Sequence, residues 1–223
     1  MNQISFIDPQ REIKKSVSYD QRQIIRWICE LHCPGGIELD VTWNRGLMFA
    51  GIQQPGYRFD LNPQASANGA ADFRALPFKD GTFRSIMFDP PFLAGGGGRG
   101  IMAKKFTWIK TPAEVWALYR EGIAELERVL RRYGILVVKC QDLHNGRNQY
   151  MSHCEIMNMA VDVGLYPRDL FILVARTRPV SWNQRSQNHA RKFHSYFWVF
   201  GKQKRSIGYC RDPRRNGGAG HGR

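Results

Sequence analysis

The segment over residues 111–139 constrains the fold most, because it joins an amphipathic helix pattern directly to an apolar strand pattern. Its first four residues, Thr-Pro-Ala-Glu, offer a capping threonine, a proline at the first helical position and a glutamate at the third. Gly134 is predicted to end the helix, whose buried stripe comprises Val115, Leu118, Tyr119, Ile123, Leu126 and Leu130. The Ile-Leu-Val-Val-Lys run over 135–139 lacks polar alternation, which is typical of a strand in a sheet covered on both faces.

Strand and helix patterns alternate along most of the remaining chain. A helix is predicted over 20–33 behind an Asp20 cap, and a second capping box, Ser152 with Glu155, is predicted to begin a helix that runs to Gly164. Short strands are predicted over 37–40, 57–60, 85–89, 170–175 and 195–200. No helix pattern separates the last two strands, so we expect them to be antiparallel. This order predicts a doubly wound α/β fold with a mostly parallel sheet and an antiparallel C-terminal hairpin.

Length, charge and cysteine spacing narrow the class of protein. The 223 residues fit one domain, predicted over 1–202, before a basic Gly- and Arg-rich tail over 203–223 that we expect to be disordered. The net charge of +14 favours nucleic acid as a partner. The cysteines lack zinc-binding spacing, so no metal is expected, and scattered thiols fit a reducing, cytoplasmic compartment. No signal-peptide core and no apolar run of roughly 18 residues is present, so we expect a soluble protein without a membrane partner.

Residues 89–92, Asp-Pro-Pro-Phe, follow an apolar strand pattern, and we call them the Asp-Pro-Pro-Phe ledge. Each proline holds the residue before it in an extended conformation, and neither proline offers an N–H. The ledge therefore presents the Asp89 carboxylate, the Pro90 carbonyl and the ring of Phe92. Two acceptors beside an aromatic face suit a planar substrate that carries an amino group, such as adenine or cytosine. The alternative interpretation is a strand-ending turn with a solvated aspartate.

Three further carboxylates precede the ledge at or after predicted strand ends. Asp40 ends the first strand, Asp60 ends the second, and Asp72 leads toward the Leu-Pro-Phe segment that enters the strand before the ledge. Ligands of open α/β sheets bind outside the carboxyl ends of the strands. Asp60 follows Asp40 by 20 residues, the offset at which an acidic residue meets a ribose hydroxyl in nucleotide sites. The pattern therefore predicts a nucleotide-type site at this edge of the sheet.

The segment over 75–92, Ala-Leu-Pro-Phe-Lys-Asp-Gly-Thr-Phe-Arg-Ser-Ile-Met-Phe-Asp-Pro-Pro-Phe, resembles the class I S-adenosylmethionine-dependent methyltransferases. The similarity is to the amino-methyltransferases that act on adenine N6 or cytosine N4, and it extends over residues 37–201. It implies a Rossmann-like fold with a seven-stranded sheet, S-adenosylmethionine as the cofactor and double-stranded DNA as the partner. The catalytic residues would be those of the ledge, Asp89, Pro90, Pro91 and Phe92.

The resemblance also implies a cofactor site that follows the three earlier carboxylates. The loop over 40–46 would surround the methionine part of the cofactor, Asp60 would bind the ribose hydroxyls, and Asp72 would bind the adenine amine. The family's first loop is usually rich in glycine, whereas this one reads Asp-Val-Thr-Trp-Asn-Arg-Gly. Asparagine tolerates the left-handed conformation, so an asparagine can replace the first glycine. The predicted cofactor-binding residues are Asp40, Thr42, Asn44, Gly46, Asp60, Asp72 and Phe73.

Two loops rich in basic and aromatic residues are predicted to face the substrate. One begins with a four-glycine run after the ledge, and the other spans 176–194, which is long for a loop without a function. Arginine and lysine suit phosphates, whereas aromatic rings suit stacked bases. Together with one glutamine after the strand over 135–139, the candidate substrate-binding residues are Arg99, Lys104, Lys105, Phe106, Trp108, Gln141, Arg178, Trp182 and Arg185.

These features predict methyl transfer to an exocyclic amine of a nucleic-acid base, with adenine N6 of DNA as the first choice. Cytosine N4 and adenine N6 of RNA stay open, because the ledge sequence does not separate these substrates. A non-catalytic nucleic-acid-binding module that kept the fold is the alternative from another class, and the glycine-poor first loop favours it. The net charge and the ledge disfavour a small-molecule methyltransferase.

Overall fold

The structure is a computed structural model that describes residues 13–65, 68–92, 111–145, 148–177 and 190–203. Most of the predicted tail, residues 204–223, lies outside these ranges. The strands are β1 Val17–Ser18, β2 Leu39–Asp40, β3 Tyr57–Arg58, β4 Phe83–Phe88, β5 Leu130–Cys140, β6 Leu143–Asn145, β7 Asn148–Tyr150, β8 Leu165–Val174 and β9 His194–Lys202. The α-helices are α1 Gln21–His32, α2 Pro112–Val129 and α3 Ser152–Asp162, and a short 3-10 segment covers Asn44–Phe49.

Seven of these strands form one sheet in the order β1-β8-β9-β5-β4-β2-β3. The pairs β2–β3, β2–β4, β4–β5 and β1–β8 are parallel, whereas β9 is antiparallel to both β5 and β8. The predicted doubly wound, mostly parallel sheet with an antiparallel C-terminal hairpin is therefore confirmed. The β6–β7 pair forms a separate antiparallel hairpin that the sequence patterns did not predict.

Helices cover both faces of the sheet, as the unbroken apolar run of β5 predicts. Alternate residues of β5 point to opposite faces. Ile135 and Val137 pack on the side of α1, while Leu136 and Val138 join the core formed with α2 and α3. Because helices cover both faces, a ligand reaches the central strands at their ends.

Two helix starts follow directly from the local sequence. The Asp20 side chain caps α1 by accepting a hydrogen bond of 2.9 Å from the Arg22 N–H. Thr111 and Glu114 form the predicted capping box of α2, with one hydrogen bond in each direction. In both cases the signal lies within four residues, so no distant contact is needed to place the helix.

The predicted end of α2 is wrong by one turn. The helix ends at Val129, and Leu130 already belongs to β5, where it pairs with Phe83 of β4. Gly134 therefore lies inside a strand rather than at a helix end. Leu130 is fully buried either way, so its apolar character cannot distinguish the last turn of a helix from the start of a strand.

The predicted capping box of α3 is also wrong. Met151 is the N-cap residue, and the buried Ser152 hydroxyl has no hydrogen-bond partner among the described residues. The Asp142 carboxylate, which follows β5, accepts a hydrogen bond of 3.2 Å from the His153 N–H instead. A carboxylate from another segment thus takes the position that the local sequence assigned to a hydroxyl.

Candidate active site

A cavity of about 300 Å³ lies where the parallel strands β2, β3 and β4 reach their carboxyl ends. This volume is at the lower end of the range for small-molecule sites. Its position also agrees with the edge at which open α/β sheets bind ligands. The lining residues are Val41, Thr42, Asn44, Asp60, Leu61, Asn62, Ala65, Asp72, Phe73, Arg74, Asp89, Pro91 and Leu118.

Thr42 connects the ends of two neighbouring strands beneath this cavity. Its N–H and its hydroxyl both donate to Oδ1 of Asp40, at 2.8 and 3.2 Å. The same hydroxyl accepts a hydrogen bond of 2.8 Å from the N–H of Asp89. One side chain therefore fixes the spacing between the carboxylate that ends β2 and the ledge that follows β4.

Asp40 is buried below the lining, with an exposed fraction of 2%. Burial raises its pKa to about 7, and the nearby carboxylates of Asp89 and Asp60 add to this effect, while the hydrogen bonds from Thr42 oppose it. A carboxyl group in this state responds to a cation placed in the cavity, because a positive charge favours its ionised form.

The loop after β2 has positive φ angles at Asn44 and Gly46, as its sequence suggested, and also at Arg45, which the sequence did not suggest. Asn44, Arg45 and Gly46 have φ angles of 39°, 66° and 67°. At Gly46 a glycine is required for a second reason, because a Cβ atom there would overlap the ring of Trp43. The Asn44 N–H then points to Asp60, donating to Oδ2 at 3.0 Å.

Asp60 follows β3 and holds the two loops that border the cavity. Besides the bond from Asn44, its Oδ1 accepts a hydrogen bond of 2.9 Å from the Asn62 N–H. A carboxylate oxygen accepts more than one hydrogen bond, so both oxygens keep capacity for hydroxyl donors.

Arg74 is a cavity residue that the sequence analysis missed. Its guanidinium binds the Asp72 carboxylate through Nε at 2.9 Å and Nη2 at 2.6 Å. These side-chain hydrogen bonds hold the pKa of Asp72 below its usual value. Because Arg74 occupies Asp72, a ligand amine that used this carboxylate would have to share it. Phe73, between them, is buried and packs edge-on against Phe88 at 5.0 Å.

Lys139 is the second residue that the sequence analysis missed. Its Nζ lies 3.0 Å from Oδ2 of Asp89. The other oxygen, Oδ1, is buried and has no hydrogen-bond partner among the described residues. A buried acceptor without a partner in a cavity-lining residue is an available binding point for a donor.

The structure brings most of the predicted cofactor residues together but only part of the ledge into the cavity lining. Pro91 lines the cavity beside Asp89, whereas Pro90 is buried and Phe92 packs against the core on the α2 side. Gln141, predicted to bind substrate, is instead buried, and its Nε2 donates to the carbonyl of His194 at 2.7 Å. The remaining predicted substrate residues lie outside the described residues: Arg99, Lys104, Lys105, Phe106, Trp108, Arg178, Trp182 and Arg185.

Two other kinds of site are absent from the described part of the chain. No cluster of three or more His, Cys, Asp or Glu side chains suited to a metal ion occurs there. Among the same residues, no helix combines the length and apolar character needed to span a bilayer.

No family profile matches the chain, and no curated protein sequence matches it. Among solved structures, it is similar to SpnF, a (4+2)-cyclase, with 13% identity, a TM-score of 0.50 and coverage of 82% of this chain and 80% of that one. This similarity confirms the predicted Rossmann-like methyltransferase fold and carries no information about substrate.

Two further solved structures are methyltransferases by name. The 1,6-didemethyltoxoflavin-N1-methyltransferase of Burkholderia thailandensis, solved with S-adenosylhomocysteine, has 13% identity and a TM-score of 0.49, with coverage of 83% and 80%. TTHA0409 of Thermus thermophilus, a candidate DNA modification methylase, has 17% identity and a TM-score of 0.43, with coverage of 64% of this chain. The alignment spans only 53% of TTHA0409.

Proposed function

We propose that this protein transfers a methyl group from S-adenosylmethionine to the exocyclic amine of a nucleic-acid base, with adenine N6 of DNA as the first candidate. The observation that carries the proposal is the Asp89 carboxylate. It follows a central parallel strand, lines the cavity and keeps one buried oxygen, Oδ1, without a partner among the described residues. An amine with two N–H donors is the kind of group that such an acceptor binds.

The donor set of the cavity fits a cationic nucleoside cofactor. Three carboxylates line it, those of Asp60, Asp72 and Asp89, against one guanidinium, and Asp40 lies buried beneath. The surrounding protein carries a net charge of +14, so this acidic lining is a local exception. When bound, S-adenosylmethionine supplies a methyl group on a positively charged sulfonium, which needs no metal.

Each of these residues would have a separate task. Asp60 would accept from the ribose hydroxyls, while Asp72 and Phe73 would border the adenine ring. Asp40, through Thr42, would place its charge near the positive groups of the methionine part. The apolar members of the lining would exclude water from the reacting centre, where charge interactions are strongest.

The ledge would orient the substrate rather than activate it by strong base catalysis. Asp89 Oδ1 would accept one hydrogen of the amine. The resemblance assigns the second hydrogen to the Pro90 carbonyl and the stacking to the Phe92 ring, although neither residue lines the cavity. Holding the amine in line with the methyl group is a proximity effect, which accounts for large rate gains without a covalent intermediate. The amine loses its extra proton after the transfer. A base in a duplex would first have to leave the stack.

Nucleic acid is the proposed substrate because of the excess of cations. Lys and Arg number 33 against 19 Asp and Glu in the whole chain. A polyanion is the partner that such a balance attracts. Cytosine N4 and RNA adenine N6 use the same acceptor arrangement and are alternatives within this proposal.

One observation favours a second candidate, a non-catalytic nucleic-acid-binding module. The Asp72 carboxylate already binds Arg74, so part of the expected adenine site is engaged by the chain itself. The two candidates differ in cofactor affinity. The enzyme is expected to bind S-adenosylmethionine, whereas the module is expected to bind only nucleic acid.

The decisive experiment measures transfer of a radiolabelled methyl group from S-adenosylmethionine to unmethylated DNA and to RNA, followed by nucleoside analysis of the product. We expect N6-methyladenine in DNA. Asp89→Ala is expected to lower the transfer rate by at least about 100-fold, because the amine loses its orienting acceptor. Cofactor affinity, measured by calorimetry, should stay within about threefold of the wild type, because Asp89 acts on the substrate amine.

The matched control is Asp169→Asn, which removes a carboxylate from the middle of β8, outside the cavity lining. This variant should transfer methyl groups at the wild-type rate. Label found in N4-methylcytosine, or in RNA, would identify the substrate as one of the alternatives named above and would keep the proposed reaction. Cofactor binding without transfer to either polymer, or an active Asp89→Ala variant, would contradict it, and absence of cofactor binding would favour the binding module.

A further inference from the structure

Lys139 lies in an otherwise apolar row of β5. Side chains of a strand alternate between faces, so Lys139 shares its face with Ile135 and Val137, both packed in the core on the side of α1. Across the antiparallel ladder it pairs with Phe197 of β9. A lysine in this row loses hydration, and its position therefore requires a compensating partner.

The register of the sheet supplies that partner. Phe88 of β4 pairs with Val138 of β5, so the next residues on the two parallel strands, Asp89 and Lys139, become neighbours. Their charged atoms lie 3.0 Å apart, and the two side chains are only 19% and 12% exposed. Nζ of Lys139 also lies 6.0 Å from the centre of the Phe92 ring.

The surroundings of Lys139 restrict its motion. The Phe197 ring centre lies 5.6 Å from Nζ, and the Tyr119 hydroxyl donates to the Lys139 carbonyl at 2.8 Å. The main chain at the end of β5 is therefore fixed by α2, and the ammonium lies close to two aromatic rings. An ion pair held in this way presents one geometry rather than the many of an exposed pair.

We propose that Lys139 is a positioning residue for the transfer reaction, an inference that rests on the proposed function. By holding Oδ2 of Asp89, it leaves Oδ1 as the oxygen that meets the substrate amine. Thr42 holds the main chain of Asp89 through its N–H, so the carboxylate is fixed at both ends. The Asp89 carboxylate disfavours ionisation of the nearby Asp40 carboxyl group, and the ammonium of Lys139 places an opposite charge beside Asp89.

A lysine suits this task better than an arginine would. Its ammonium is a compact charge that binds one carboxylate oxygen, whereas a guanidinium fork tends to take both oxygens. Occupation of both would remove the open acceptor. The inference therefore predicts that the cation is necessary and that its shape also matters.

The test compares Lys139→Met with the wild type in the methyl-transfer assay. The variant keeps the length of the side chain and removes the charge. We expect kcat to fall by between about 10- and 100-fold, the scale of a misoriented reacting group. The KM for DNA and the Kd for S-adenosylmethionine should each stay within about threefold, because Lys139 contacts neither ligand in the proposed arrangement.

A matched control is available on the neighbouring strand. Lys202 of β9 is also partly buried, and its Nζ lies 2.9 Å from a carboxylate oxygen of Glu127. Lys202→Met removes a partly buried ion pair away from the cavity lining, together with hydrogen bonds from Nζ to the carbonyls of Glu127 and Leu130. It should therefore lower thermal stability without changing kcat per folded molecule. A fall in kcat shared equally by both variants would reduce Lys139 to a structural role.

Lys139→Arg provides the second arm, because it keeps a cation at the same position. It should regain about threefold of the rate that Lys139→Met loses and remain below the wild type, because the charge is kept while the guanidinium fork also engages the open oxygen. Wild-type kcat in Lys139→Met, or no recovery in Lys139→Arg, would overturn the inference while leaving the proposed function intact. A wild-type protein that transfers no methyl group would overturn both, so the two failures are distinguishable.

Discussion

The buried carboxyl group of Asp40 leads to a prediction about stability that requires no ligand. Burial raises its pKa to about 7, whereas an aspartate in an unfolded chain titrates near about 3.9. Between these values the folded protein binds a proton at Asp40 that the unfolded chain has lost, so the contribution of Asp40 to stability falls as the pH rises. Asn cannot titrate, and Asp40→Asn therefore removes this pH dependence.

The magnitude follows from the two pKa values. A gap of about three pKa units corresponds to about 4 kcal/mol once both states are ionised. Part of this difference is already present at pH 5, where most unfolded chains are ionised. Between pH 5 and pH 8 the stability of Asp40→Asn relative to the wild type should therefore rise by about 2 to 3 kcal/mol.

Urea denaturation followed by tryptophan fluorescence, at several values between pH 5 and pH 8, measures this difference directly. Asp20→Asn is the matched control. The Asp20 pKa lies below its usual value, mainly through the hydrogen bond from Arg22, and asparagine caps helices equally well. The control difference should be flat over this range. A difference for Asp40→Asn that changed by less than about 0.5 kcal/mol would refute the reasoning about burial.

A second arm of the same experiment connects the prediction to the proposed cofactor. A positive sulfonium beside Asp40 would stabilise the ionised carboxylate in the folded state. Saturating S-adenosylmethionine should therefore reduce the loss of wild-type stability between pH 5 and pH 8, and it should leave the Asp40→Asn profile parallel to its ligand-free profile. If S-adenosylmethionine raised the stability of both proteins by the same amount at every pH, the cofactor's charge would not act on Asp40.

Three glycine substitutions test the packing around the cavity. Gly46→Ala and Gly51→Ala both place a side chain at positive φ, but only Gly46 meets the ring of Trp43, so its variant should lose about 1 to 3 kcal/mol more in urea denaturation. Equal losses of unfolding free energy in the two variants would show that the Trp43 ring moves aside at little cost. Gly122→Ala should lower the melting temperature although alanine favours helices, because Phe88 fills the space, and a higher melting temperature would contradict this packing.

The parts of the fold that could be predicted from sequence are those with strong local signals. The start of α2 needs only a capping box, and β5 needs only an unbroken apolar run. The two-residue strand β1 and the hairpin β6–β7 carry no comparable pattern, because their pairing depends on segments elsewhere in the chain. The predicted boundary between α2 and β5 was wrong because Leu130 would be buried either at the end of the helix or at the start of the strand, so its apolar character does not distinguish the two.

The candidate site divides in the same way. The aspartates could be placed at one sheet edge because they follow predicted parallel strands. Arg74 and Lys139 could not be recognised from the sequence, because the contacts of a long side chain depend on the strand register and on which partner lies within its reach. Lys139 faces Asp89 only because β4 and β5 pair as they do, and a shift of one residue would send it to the opposite face.

The helix with the clearest sequence signal, α2, is also the element against which the cavity is built. Its Glu125 accepts from the Leu76 N–H at 2.7 Å, and its Arg128 donates to the carbonyls of Leu76 and Phe78 at 3.2 and 2.9 Å. This holds the Leu-Pro-Phe segment on the helix. Leu118 of the same helix lines the cavity. Because one strongly encoded helix binds the segment before the ledge and supports the cavity wall, the polar residues at the strand ends are positioned without requiring strong local signals of their own.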